Sequence, residues 1–139
     1  MYKYRHLFLA LILIWMVVIF VFSQQGHDSS TGQSNAVINT IQGISGHELP
    51  EVIVRKSAHA IIYFTLGILA LLTTVSYRIK LKKAIFISLT IVVLYAISDE
   101  IHQLLIPGRS GQASDVLLDS TAGVTGIVAV AAMRKQRQQ

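Results

Sequence analysis

The chain has 139 residues, of which 53% are hydrophobic and 14% are charged, with a formal net charge of +5 and no cysteine. A soluble globular domain averages roughly 25% charged residues, so an ordinary cytosolic domain, a disordered chain and a coiled coil are excluded. The lack of cysteine excludes a disulfide scaffold, a thiol nucleophile and cysteine-ligated zinc or iron–sulfur sites. The length accommodates one domain.

The first predicted element is an unbroken apolar run from Leu7 to Phe22. A helix needs about 20 mostly apolar residues to cross a bilayer core, and this run approaches that length. Lys3 and Arg5 before it would also suit a secretory signal peptide. The residues that follow, Ser23–Gly26, do not form a small-x-small cleavage site. We therefore interpret the run as an uncleaved transmembrane span.

Three further apolar stretches follow along the chain. The second is interrupted near its start by His59 and Tyr63, the third continues through a polar turn to Gln103, and the fourth contains Asp119. Together the four stretches predict a single all-α domain, a bundle of four transmembrane helices. The predicted spans are residues 7–23, 57–76, 84–103 and 115–133, and the predicted outer loops are residues 24–56 and 104–114.

Two local patterns refine this picture. In the first outer loop, four apolar residues at helical spacing predict a short helix lying in the outer membrane interface: Val37, Ile38, Ile41 and Ile44. Pro50 suits the first turn of the next long helix, which would then begin before the bilayer does. On the fourth span, Ala122 and Gly126 form a small-xxx-small pair, which permits tight packing within the bundle or in a dimer.

The charged residues predict the orientation. Nine of the twelve basic residues precede the first span, lie between the second and third, or follow the fourth. The positive-inside rule then predicts a multi-pass protein of the cell membrane with both termini cytoplasmic. The net positive charge then reflects basic residues that are attracted to anionic lipid on the cytoplasmic side. This account needs no nucleic-acid partner. All seven acidic residues fall in outer loops or at the outer ends of spans, which indicates a polar site there.

The outer ends of three spans carry polar residues at one-face spacing. Lys56, His59 and Tyr63 follow i, i+3 and i+7 spacing, and Asp115 and Asp119 follow i, i+4 spacing. Ionisable groups in membrane helices cost about 2.5–3.5 kcal/mol each and indicate function by default. The predicted site comprises Lys56, His59, Tyr63, Asp99, Glu100, His102, Gln103, Arg109, Ser110, Asp115 and Asp119.

Three kinds of chemistry stay open for this set. Plainer roles are also open, since Asp115 suits a helix start and Tyr63 an interfacial aromatic, although Asp119 lies a turn too deep for capping. The candidates for general acid–base catalysis are His59, Asp99, Glu100, His102, Asp115 and Asp119. The candidates for binding an anionic ligand are Lys56, Tyr63, Gln103, Arg109 and Ser110. The candidates for ligating a divalent metal ion, the one cofactor that these residue types suit, are Asp99, His102, Asp115 and Asp119.

The polar segments resemble the motifs of a known family. Arg55–His59 followed by Tyr63 resembles the Arg-Lys-x-Ala-His-x-x-x-Tyr motif of VanZ-like integral membrane proteins. Residues 95–103 are similar to the second motif of that family, and residues 107–123 to its third. Residues 22–24 match the short motif that ends its first span. The resemblance covers nearly the whole chain.

The resemblance implies a four-helix membrane domain linked to resistance against teicoplanin, a lipoglycopeptide antibiotic, or to cell-envelope homeostasis. The expected function is an outer-leaflet pocket that binds the anionic head group of a lipid or lipid-linked cell-wall precursor, and so alters how a lipoglycopeptide docks. The alternative is a metal- or histidine-dependent enzyme acting on a lipid phosphate. Residues 114–117 are similar to the last motif of type 2 phosphatidic acid phosphatases, but Gly111 and Leu105 replace its histidine and arginine, which excludes membership. A transporter would need broken-helix repeats, which are not apparent.

Overall fold

The computed structural model describes residues 2–24, 50–106 and 112–136. This part of the chain forms four long helices and no strand: α1 (Arg5–Ser23), α2 (Glu51–Ser76), α3 (Leu81–Leu104) and α4 (Ala113–Gln136), with a short 3₁₀ helix at Tyr2–Tyr4 before them. The expected interfacial helix near residues 37–44, and the loop that carries Arg109 and Ser110, lie outside the described residues.

Each of the four helices is long and apolar enough to cross a membrane. The predicted all-α bundle of four transmembrane helices is therefore confirmed, and the chain is a multi-pass membrane protein. Helix α2 begins at Glu51, earlier than the predicted span at residue 57, and follows directly after Pro50. Pro50 is the N-cap residue, with φ −57° and ψ 131°, so it lies one residue before the first turn in which the sequence analysis placed it.

Neighbouring contacts establish the directions of the helices. Thr73 of α2 donates a hydrogen bond to the carbonyl of Phe8, whereas Trp15 donates to the carbonyl of Ile62, so α1 and α2 are antiparallel. Lys56 pairs with Asp115 and His59 with Asp119, so α2 and α4 run in the same direction. Helix α2 lies at the centre and packs against the other three.

Glycines bring α2 and α4 into backbone contact. A Cβ atom on Gly67 would overlap the carbonyl oxygen of Gly123, and one on Gly126 would overlap the carbonyl oxygen of Phe64. Small residues let two membrane helices approach this closely, because no side chain separates the backbones. The small-residue face of α4 is thus used within the bundle.

Helix α1 is attached by the buried side chains of Ile12 and Ile19 and by side-chain hydrogen bonds to backbone carbonyls. The Trp15 indole donates to Ile62 O at 3.0 Å, and the Tyr95 hydroxyl donates to Met16 O at 2.5 Å. Most of its apolar side chains point outward, and Val17, for example, is 60% exposed. This surface suits lipid, because packing and polar contacts rather than apolar burial hold helices together in a bilayer.

The two ends of the bundle differ in charge. The start of α1 meets the end of α2, where the guanidinium carbon of Arg5 lies 5.9 Å from the centre of the Tyr77 ring. Arg78, in the same turn, adopts a φ of 62°. The opposite end, where α1 and α3 finish and α2 and α4 begin, carries the polar residues singled out in the sequence.

Candidate functional site

The polar residues at this end form successive pairs between the helices. In the outermost pair, the Nζ of Lys56 on α2 lies 2.7 Å from Oδ1 of Asp115 on α4. The two side chains are 33% and 23% exposed, so this salt bridge lies at the entrance of the site. Asp115 therefore has a partner across the bundle in addition to its position in the first turn of α4.

One turn deeper, an imidazole meets a buried carboxylate. The Nδ1 of His59 lies 3.4 Å from Oδ2 of Asp119, and the Asp119 side chain is only 3% exposed. The other oxygen, Oδ1, is buried and has no hydrogen-bond partner among the described residues. Such an oxygen is unusual in a folded protein, because buried polar atoms are nearly always satisfied.

The deepest pair joins α2 to α3. The Tyr63 hydroxyl, on a fully buried side chain, donates to Oδ2 of Asp99 at 3.2 Å. The side-chain amide of Gln103 donates to the same oxygen at 3.4 Å. Asp99 is 6% exposed, and these two donors orient its carboxylate from two helices.

Glu100 links the end of α3 to the start of α4. Its side chain is buried, and its Oε1 accepts a hydrogen bond from the backbone N–H of Gln112, immediately before α4. The sequence analysis did not single out Gln112. Because the donor is a backbone group, no side-chain pattern signals it.

His102 lies apart from this arrangement. Its ring stacks on Phe20 of α1 with the ring centroids 4.7 Å apart, and its Nε2 is buried without a hydrogen-bond partner among the described residues. Of the other predicted ligand-binding residues, Arg109 and Ser110 belong to residues that the structure does not describe.

Three of the predicted residues bring atoms that could ligate a metal ion close together. One imidazole nitrogen of His59 and one carboxylate oxygen each of Asp99 and Asp119 lie within 4.8 Å of one another. The sequence-based set of metal candidates contained His102 and Asp115 in place of His59. The sequence signal for His59 was its place in the helical stripe between Lys56 and Tyr63. In the structure, both of these neighbours contact carboxylates.

This arrangement supports two kinds of chemistry. The partly buried imidazole of His59 and the buried carboxylates of Asp99 and Asp119 can share a proton or ligate a cation. The ammonium of Lys56, which remains partly exposed, can reach an anionic group at the membrane surface. The site thus combines an ion pair at its entrance with an interior rich in carboxylates.

Comparison with known proteins supports the resemblance seen in the motifs. Residues 8–134 match the model of the VanZ/LLP1 family, so the match includes all the polar pairs described above. No significant match was found among curated proteins or among solved structures. On the strength of a family match that covers nearly the whole chain, this membrane protein belongs to the VanZ/LLP1 family.

Proposed function

We propose that this protein binds the anionic head group of a lipid or a lipid-linked cell-wall precursor at the polar end of its helical bundle. The observation that carries the proposal is the Lys56–Asp115 pair, an ion pair at 2.7 Å that remains partly exposed above buried polar groups. Its ammonium is partly exposed and can exchange the carboxylate for a phosphate, since one ion pair then replaces another. Arg109, in the neighbouring loop, would add a bidentate contact to the phosphate.

The site would face the outer leaflet. The basic residues near the start of α1, between α2 and α3, and at the end of α4 share the opposite end of the bundle. The positive-inside rule favours the cytoplasmic side for that end. An occupied head-group site in the outer leaflet would change how a lipoglycopeptide docks, and this connects the protein to teicoplanin-type resistance or to cell-envelope homeostasis.

The orientation is tested with reporter fusions. We expect a reporter that works only in the cytoplasm to be active when it is fused after Gln139. A reporter that works only outside the cytoplasm should be active when it is inserted near Gly26. In this orientation nine of the twelve basic residues lie inside. A cytoplasmic signal near Gly26 would contradict the proposal, since the polar site would face inward.

Binding is tested on the purified full chain in phosphatidylcholine nanodiscs. We expect the protein to retain added phosphatidylglycerol or polyprenyl phosphate, measured by native mass spectrometry, in preference to phosphatidylcholine. Lys56→Ala and Arg109→Ala should each weaken retention by at least about ten-fold, since a hydrogen bond to a charged group contributes about 1.5–3 kcal/mol. Arg109→Lys should recover only part of the binding, because an ammonium cannot form the bidentate contact. The two lipids, tested separately, distinguish a phospholipid from a cell-wall carrier.

A matched variant separates ligand binding from structural support. Asp115→Asn removes the carboxylate that competes for Lys56 and keeps the ammonium, so it should strengthen retention of the anionic lipid. Asp28→Asn, in the first outer loop, should leave retention unchanged. Equal loss in Lys56→Ala and Asp115→Asn would identify the pair as structural and would contradict the proposal.

A second candidate function is favoured by the His59–Asp119 contact at 3.4 Å. A carboxylate beside an imidazole orients it for general acid–base catalysis, which would suit an enzyme acting on a lipid phosphate. Release of inorganic phosphate from phosphatidic acid or polyprenyl pyrophosphate by the wild type, lost in His59→Gln, would favour the enzyme. Retention of the lipid without turnover would favour the binding protein.

A further inference from the structure

We propose that His59, Asp99 and Asp119 form a divalent metal site of the Zn²⁺ or Mn²⁺ type inside the polar end of the bundle. One potential ligand atom from each residue lies within 4.8 Å of the other two. The three residues come from α2, α3 and α4, so the site would join three helices. The inference concerns the same end of the bundle as the proposed head-group binding but does not depend on it.

One pair of ligand atoms already has the spacing that a single ion requires, and the third ligand would have to move closer. Zinc lies about 2.0–2.2 Å from nitrogen and oxygen ligands, so two ligand atoms on one tetrahedral ion are at most about 3.6 Å apart. The His59 Nδ1 and Asp119 Oδ2 atoms, at 3.4 Å, already satisfy this limit. All three ligand atoms lie within 4.8 Å of one another, so the widest separation would need to close by at most about 1.2 Å.

The unsatisfied oxygen of Asp119 is a second and independent indication. Its Oδ1 is buried and accepts no hydrogen bond from the described residues, although its Oδ2 contacts His59. A carboxylate oxygen left in this state costs free energy unless a cation or a donor reaches it. A bound dication would satisfy it directly.

Charge balance points the same way. Asp99 and Asp119 place two buried carboxylates close together in a membrane helix bundle, where ionised groups are expensive. The ammonium of Lys56 is already paired with Asp115 nearer the surface. One dication neutralises two carboxylates and leaves the neutral imidazole as its third ligand.

A second layer of contacts would hold one of the ligands in place. Tyr63 and Gln103 both donate to Oδ2 of Asp99, which fixes the orientation of this carboxylate. Metal-ligating carboxylates are typically held by such hydrogen bonds.

The ligand types select the class of metal. A set of one imidazole and two carboxylates suits Zn²⁺ or Mn²⁺ better than Ca²⁺, which takes six to eight oxygen ligands. Three protein ligands leave at least one coordination position open, as in catalytic rather than structural zinc sites. An oxygen of an anionic head group could take that position.

The test measures metal on the full chain in neutral-lipid nanodiscs. The protein is stripped with a chelator, equilibrated with ZnCl₂ or MnCl₂, separated from free metal and analysed by mass spectrometry for metal and by amino-acid analysis for protein. We expect about one ion per chain. The loss of the six-line electron paramagnetic resonance signal of free Mn²⁺ gives an independent readout of binding.

Variants assign the ion to the site. His59→Ala and Asp119→Asn should each weaken metal binding by at least ten-fold, because direct ligands matter at least as much as their supporting contacts. The control is His6→Ala, which removes an exposed histidine at the opposite end of the bundle and should keep the full metal content. If Asp119→Asn is not recovered as folded protein, His59→Gln and Asp99→Asn can replace it, and each should also weaken metal binding by at least about ten-fold.

The inference would be overturned by the absence of bound metal in the wild type, or by a metal content unchanged in the ligand variants. Metal content lost in His6→Ala but kept in His59→Ala would also overturn it, by assigning the ion to the opposite end. A protein that binds Zn²⁺ but retains no anionic lipid would refute the proposed function and support the metal site.

Discussion

Gly67→Ala is expected to lower the free energy of unfolding of the bundle by about 2–3 kcal/mol, the upper part of the range for overpacked cores. The added methyl group would overlap the carbonyl oxygen of Gly123, which is backbone and cannot rotate away. Helices α2 and α4 would have to separate, and the Lys56–Asp115 and His59–Asp119 contacts lie on the same interface. The substitution should therefore weaken both the fold and the polar site.

Helix propensity acts in the opposite direction, which makes the test stringent. In an exposed helix interior, replacing glycine with alanine stabilises by about 1 kcal/mol. A measured loss of stability consequently reports the contact between α2 and α4. The readout is unfolding in mixed micelles with increasing sodium dodecyl sulfate, followed by the fluorescence of Trp15, the only tryptophan, whose indole contacts α2.

Two controls bracket this result. Val128→Ile adds one methyl group to an exposed position of α4 and should change the unfolding midpoint little. In Gly123→Ala the added methyl group would mainly meet the side chain of Val92, so the double variant Gly123→Ala/Val92→Ala should recover part of the loss. Unchanged stability in Gly67→Ala would show that α2 and α4 do not touch through their backbones.

His59→Leu is expected to destabilise the chelator-stripped protein by about 3 kcal/mol, the lower end of the range for breaking a buried pair. The lower end applies because the His59 side chain is 24% exposed, whereas that of Asp119 is 3% exposed. The substitution removes the His59 contact to Oδ2 of Asp119, and Oδ1 already has no hydrogen-bond partner among the described residues. Stripping the metal first removes any stability that a bound ion would add.

The double variant His59→Leu/Asp119→Leu should return to within about 1 kcal/mol of the wild type, because replacing both partners of a polar pair by apolar groups of similar shape can be nearly neutral. It should nevertheless bind no metal. Recovery of the fold without recovery of binding would show that the pair is kept for function. A double variant as unstable as the single one would instead indicate that these polar groups hold the bundle together.

The amino-acid sequence was sufficient to predict four helices and the end of the bundle at which the polar residues gather. Apolar runs of nearly 20 residues predict spans because backbone groups in a bilayer must be satisfied within a helix. Since successive spans alternate in direction, the stripe of Lys56, His59 and Tyr63 and the residues Asp99 and Asp119 had to meet at one end. The early start of α2, at Glu51, was also anticipated from Pro50.

Only the packed bundle decided which polar residues meet. His59 faces Asp119 of α4. His102 follows Asp99 by three residues, as His59 follows Lys56, but its ring stacks on Phe20. The physical reason is that lipid and protein core are equally apolar, so the apolar pattern of a membrane helix does not reveal which face is buried. That rotation is set by contacts distant in sequence, chiefly the approach of Gly67 to Gly123, which brings α2 and α4 together and aligns their polar residues.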